Sequence, residues 1–167
     1  MNYTEYNLEI WGQNAMSNIL YITGLPGSGK SPLAYDFAEE DDAYIIHLDY
    51  YTDDNAPANK VFDSYLDSNY PGWYNLREEY INGNDVSGTW FTLLENAIVS
   101  FGIHSDRPVI VEGVQLMDDT LFSDNKEYFQ NQPFILLDMP TNHRKGISKK
   151  QWSIWEEAYY KLVDILK

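Results

Sequence analysis

Ile19-Leu20-Tyr21-Ile22-Thr23-Gly24-Leu25-Pro26-Gly27-Ser28-Gly29-Lys30-Ser31 decides the fold of this chain. Its first five residues are apolar and β-rich and read as a buried strand; Leu33, Ala34, Phe37 and Ala38 then recur at helical spacing. Between them, Gly24 to Ser31 fits the phosphate-binding pattern GxxxxGK followed by Ser or Thr. Glycines let successive backbone N–H groups turn inward around an anion without side chains in the way. On this reading Gly24, Leu25, Pro26, Gly27, Ser28 and Gly29 wrap a triphosphate, Lys30 reaches its β- and γ-phosphates, and the Ser31 hydroxyl faces Mg²⁺. The helix expected from about Gly29 aims its positive end, roughly half an elementary charge, at the same anion. A plain turn has no use for the Lys30-Ser31 pair at its end.

Pro32 departs from that scheme, since it offers no backbone N–H beside the phosphates. Proline is tolerated in a first helical turn, but it biases the preceding Ser31 away from helical dihedrals. The expected consequence is a nucleotide affinity below what the motif suggests.

With 167 residues and 44% hydrophobic content, the chain is sized for a single domain over 1–167. No apolar run approaches the roughly 20 residues of a membrane span, and the polar start Met1-Asn2-Tyr3-Thr4-Glu5 lacks a signal-peptide profile, so a cytoplasmic protein is expected. The absence of cysteine excludes disulfides and thiolate metal sites. A net charge of −15 repels polyanions, which argues against duplex nucleic acid as a partner. Arg144, Lys145, Lys149 and Lys150 nonetheless gather within seven residues, either as a solvated basic turn or as a lid over phosphates.

Apolar segments alternate with helical patterns, predicting an α/β fold with a parallel sheet covered by helices. After the first helix, 43–48 reads as a strand ending at Asp49-Tyr50-Tyr51, 59–66 as a helix, and 90–101 as another. Strands follow at 108–113 and 133–138, and an amphipathic helix at 150–166 closes the chain. The first dozen residues suggest an extra edge strand. The aromatic stretch from Pro71 has no clear assignment; Trp73, Tyr74 and Trp90 could stack on a nucleobase or fill the core.

Open α/β sheets bind ligands at the C-terminal ends of their strands. Asp49 ends one apolar run and is suited to accept a proton from a substrate hydroxyl, with a turn or cap as its alternative role. Glu112 ends Val109-Ile110-Val111 and could hold Mg²⁺; Asp138, before Pro140, competes for that role or forms a turn. His47, His104 and His143 lack zinc-ligand spacing, and the guanine-reading Asn-Lys-x-Asp is absent.

The phosphate loop, Asp49-Tyr50-Tyr51, the Val109-to-Gly113 strand and the Leu136-Leu137-Asp138 strand before a basic segment come in the order seen in the uridine kinase and phosphoribulokinase-like group of P-loop kinases, which the chain resembles over most of 18–160. The resemblance implies a three-layer P-loop NTPase fold, with a mainly parallel central sheet and helices on both faces. It also implies Asp49 as base toward the acceptor hydroxyl, Tyr51 beside the substrate, Glu112 on Mg²⁺, and Arg144 with Lys145 in a phosphate-contacting lid. Of the family's lid arginines only Arg144 has a match in type, and the hairpin that shapes the nucleoside site has no clear counterpart in 71–88. The function implied is Mg²⁺-dependent phosphoryl transfer from ATP or another nucleoside triphosphate to a hydroxyl of a nucleoside or similar metabolite. The alternative is a nucleotide-binding module without transfer.

Overall fold

Three apolar segments whose residues are buried on both faces build the centre of the sheet, as strands covered by helices on each side must. The computed structural model describes residues 2–53, 59–140 and 146–167. In chain order its strands are β1 (Tyr3–Tyr6), β2 (Ile19–Thr23), β3 (Tyr44–His47), β4 (Val109–Glu112) and β5 (Phe134–Leu137). Its α-helices are α1 (Lys30–Asp41), α2 (Leu48–Asp53), α3 (Lys60–Asn69), α4 (Trp73–Ile81), α5 (Ser87–His104) and α6 (Lys149–Leu166). The sheet order is β1-β5-β2-β4-β3. β5, β2, β4 and β3 run parallel, and β1 joins antiparallel to β5, so the sheet is mixed but mainly parallel.

Helices cover both faces. On one, Leu33 and Ala34 of α1, with Phe37 and Ala38, pack on Leu20, Ile22, Ile110, Ile135 and Leu137. On the other, Trp90, Leu94, Ala97, Ile98 and Phe101 of α5 share a larger core with Tyr21, Val109, Val111 and the aromatic cluster of α2 to α4. A Cβ at Gly102 would collide with the Ile19 side chain, so glycine is what lets α5 approach β2 this closely. No helix among the described residues is long and apolar enough to cross a membrane.

The elements depart from the sequence reading in four places. The N-terminal strand stops at Tyr6, because Asn7 adopts left-handed dihedrals and its amide donates to the Gln130 and Gln132 carbonyls; Leu8–Ile10 is a short 3-10 turn. The third strand ends at His47, and Leu48 opens α2, which puts Asp49 in the first turn of a helix. The unassigned aromatic stretch is α4, entered through Gly72 at φ 86°, where an L side chain would be strained. α3 reaches Asn69 and α5 spans Ser87–His104, longer than their apolar spacing suggests.

From β2 the chain crosses through α1 to β3 on one side of the sheet; from β4 it returns past β2 to β5 on the other. β2 is therefore where the connections diverge, and its C-terminal end is where an open α/β sheet offers a crevice.

Candidate active site at the mouth of the sheet

Gly24 to Gly29 leaves the end of β2 and delivers the chain into α1, with Gly29 as the helix N-cap. Gly27 and Gly29 stand at φ 85° and 97°, a region L side chains rarely adopt. Gly24 is required for closeness instead: a Cβ there would lie 2.6 Å from Ser28 Oγ and 3.1 Å from Leu137 Cβ. The Ser28 N–H donates to the Leu25 carbonyl at 3.0 Å, closing the turn, whereas the buried Ser28 hydroxyl has no hydrogen-bond partner among the described residues. Such an orphan in a native fold calls for an explanation, and an anion in the loop would supply one.

Lys30 is the first residue of α1 and is half-buried. Ser31 and the exposed Pro32 follow within the same helix, so the bias of a proline against a preceding helical residue does not break it here. Pro32 sits among the first residues of the helix, whose N–H groups have no intrahelical acceptor in any case.

Glu112 is adjacent to this loop through the sheet itself, since it pairs in register with Ile22 of β2 on one side and His47 of β3 on the other. It is only 3% exposed. Its Oε1 lies 2.6 Å from His47 Nδ1, and Tyr35 of α1 reaches His47 Nε2 at 3.1 Å. The buried carboxylate that ends β4 is thus held in one orientation by an imidazole, in the manner of an oriented metal ligand. Hard oxygens from a carboxylate and the Ser31 hydroxyl suit Mg²⁺. Among the described residues no three Asp, Glu or His side chains converge on a common metal position, so these residues fit a Mg²⁺ that arrives with phosphate oxygens rather than one caged by protein.

Asp49 and Gln115 follow the ends of the neighbouring strands β3 and β4, two and three residues beyond the His47–Glu112 pair. Asp49 Oδ1 accepts from Gln115 Nε2 at 2.6 Å, and the same Nε2 donates to Thr52 Oγ1 at 2.8 Å. Around them α2 is fixed from several sides. Arg77 of α4, 1% exposed, donates Nε and Nη2 to the Tyr50 carbonyl at 3.0 and 2.7 Å, and Trp90 Nε1 of α5 donates to the Tyr51 carbonyl at 2.8 Å. A six-residue helix leaves its last carbonyls without internal partners, and these side chains supply them.

Tyr51 is a correction to the sequence reading. It is fully buried against Phe62 and Trp73, its hydroxyl donates to Asp63 Oδ1 at 2.5 Å, and burial raises its pKa further above the usual phenol value. It has no surface to present to a substrate; it anchors α2 to α3. Trp73 and Trp90 are likewise core residues, stacked with ring centroids 6.4 Å apart, and of the three aromatic candidates only Tyr74 is exposed. Asp138 is exposed just beyond β5, where its N–H donates to the Asn2 carbonyl. Arg144 and Lys145 lie outside the described residues. Lys149 and Lys150 are exposed in the first turn of α6. Gln130 Nε2 donates to the Ile165 carbonyl near the end of α6, so that helix runs back antiparallel to β5 and opens at the same end of the sheet as the glycine loop.

The structure therefore brings together the glycine loop, Glu112 and Asp49 at one end of the sheet. Sequence reading passed over His47, Gln115 and Arg77. His47 lacks zinc spacing and lies inside the apolar run 43–48, so what marks it is its pairing with Glu112 across β3 and β4. No family model and no curated protein matches this chain.

Proposed function

We propose that the chain is a nucleoside-triphosphate-dependent small-molecule kinase with the P-loop NTPase fold, related to the uridine kinase and phosphoribulokinase-like group it resembles. What supports the reading is convergence: a glycine loop with an unpartnered buried hydroxyl after β2, an oriented carboxylate after β4, and a second, held carboxylate after β3. A binding loop alone has no need of Asp49, whereas transfer to a hydroxyl calls for a proton acceptor beyond the metal ligand.

In this mechanism the loop N–H groups and Lys30 hold the β- and γ-phosphates of ATP or another triphosphate. Ser31 and Glu112 are the residues that would hold Mg²⁺, which would neutralise charge on the phosphate oxygens. The acceptor hydroxyl oxygen attacks the γ-phosphorus, the bond from that phosphorus to the bridging oxygen breaks, and the diphosphate leaves with its electron pair. The hydroxyl proton passes to Asp49 and then to solvent. Lys149 and Lys150, exposed in the first turn of α6, would add positive charge at this end of the sheet. Pro32 supports a second reading, a nucleotide-binding module without transfer, because an exposed first-turn position with no N–H weakens the phosphate cradle.

Calorimetry with Mg·ATP and Mg·GTP tests the loop: Lys30→Ala is expected to lose triphosphate affinity with little change in stability. Equal affinity in both proteins would remove the site. Asp49→Asn then separates the two readings. Asparagine keeps an oxygen that accepts from Gln115 but gives up proton acceptance, so nucleotide binding should persist while transfer falls by roughly 10² to 10⁴. If the wild type phosphorylates no hydroxyl in a broad metabolite panel, the kinase reading fails and the binding module stands.

A further inference from the structure

We infer that Gln115 is the positioning residue that aims the Asp49 carboxylate at the acceptor hydroxyl, an inference that rests on the kinase reading above. Both Nε2 hydrogens are committed, one to Asp49 Oδ1 at 2.6 Å and one to Thr52 Oγ1 at 2.8 Å. The reversed amide would set Oε1 against a carboxylate oxygen at that same separation, so its orientation is fixed by charge. Thr52 in turn donates to the Leu48 carbonyl at 3.1 Å, which ties the amide to the backbone one residue before Asp49. With Oδ1 engaged, Oδ2 is the oxygen left to take a proton.

The other end of the same amide argues against a purely structural role. Gln115 is 7% exposed, and its Oε1 is buried without a partner among the described residues, tucked against Gly113, where no side chain could be accommodated. An aliphatic residue of similar size would fill the space without an orphan carbonyl. The fold retains an unfavourable group to gain two hydrogen bonds from the Gln115 amide to acceptors on α2. The rest of α2 is held to the same end, since Arg77 and Trp90 clamp the carbonyls of Tyr50 and Tyr51. Groups that must stay within a fraction of an ångström of a reacting atom need such support around them.

The test uses Mg·ATP with the same broad panel of hydroxyl-bearing metabolites, the four common ribonucleosides included, and compares wild type, Gln115→Leu, Gln115→Glu and Thr52→Val. Gln115→Leu removes the donors and the orphan oxygen together. It is expected to melt no lower than wild type, to keep its KM for ATP within about twofold, and to lose about 10- to 100-fold in kcat. Gln115→Glu sets carboxylate against carboxylate and should lose more, although it is the closer in shape. Thr52→Val frees one end of the amide without touching Asp49 and should lower kcat several-fold at unchanged KM, which keeps the inference testable if Gln115→Leu does not fold. A residue that only packs would shift melting temperature and leave the split between kcat and KM unmoved. Wild-type turnover with kcat unchanged in Gln115→Leu, or in Thr52→Val should the first variant not fold, overturns this inference and leaves the kinase reading intact. No wild-type turnover overturns both.

Discussion

Replacing Ser28 by Ala sets stability against binding. The Ser28 hydroxyl is buried without a partner among the described residues, and an unsatisfied buried hydroxyl costs about 1–3 kcal/mol. Alanine removes that penalty and leaves the turn intact, because the closing hydrogen bond runs from the Ser28 backbone N–H to the Leu25 carbonyl. Ser28→Ala should therefore be the more stable protein without ligand. For a domain of this size each kcal/mol moves the melting temperature by about 2–4 °C. If the hydroxyl is held in reserve for a phosphate oxygen, its charge-assisted bond is worth about 1.5–3 kcal/mol, and the variant should bind triphosphate about 10- to 100-fold more weakly. Differential scanning fluorimetry without ligand and with increasing Mg·ATP reads both effects, because a ligand that binds only the native state raises the midpoint by mass action. The variant is expected to melt higher in buffer and to lose that lead as nucleotide is added, the curves crossing where the lost bond outweighs the relieved penalty. A variant that melts lower in buffer and binds Mg·ATP as tightly as wild type would refute the reasoning, and would make Ser28 an ordinary turn residue.

Two further perturbations follow from the same geometry. Pro32→Ala restores a first-turn N–H beside the α-phosphate, so calorimetry should show tighter triphosphate binding by up to about 1.5–3 kcal/mol, while the unliganded protein loses up to about 1 kcal/mol as the unfolded chain gains freedom; unchanged affinity would show that the missing donor does not limit binding. Lys126 donates to the Leu116 and Leu121 carbonyls at 2.8 and 2.9 Å, and burial pulls its pKa down to about 8. The unfolded lysine, with its ordinary pKa near 10.4, binds more protons than the folded one between those values, so the cost of burying its charge is fully present below pH 8 and is relieved as pH rises. Urea titrations from pH 7 to 9.5 should find wild type gaining on Lys126→Met by at most about 1.4 kcal/mol per pH unit above pH 8. A stability difference that does not vary with pH would show the ammonium to be solvated.

What could be read from the sequence and what could not divides along a physical line. β2, β4 and β5 were legible because strands buried on both faces must be apolar throughout, and the loop after β2 was legible because positive φ and close approach leave little choice but glycine at 24, 27 and 29. α2 was not, because a six-residue helix that depends on Arg77 and Trp90 for its carbonyls carries its stabilising partners tens of residues away. Tyr51 misled for a related reason: an aromatic after a strand looks the same in sequence whether it faces a substrate or Asp63, and only the packing of α3 and α4 decides.

The same argument accounts for the residues that were passed over. His47 and Glu112 are neighbours because β3 and β4 pair in register, a pairing that neither strand's sequence displays by itself. Gln115 becomes meaningful only once that pairing is known, since its amide reaches Asp49 across the ends of two strands separated by 61 residues of intervening chain from His47 to Val109. Of the six buried polar or charged side chains among the described residues, Arg77, Glu112 and Gln115 serve the carboxylates and the short helix at this one end of the sheet. Buried polar groups are costly wherever they occur, so their concentration here marks the end of the fold where exact placement matters more than stability.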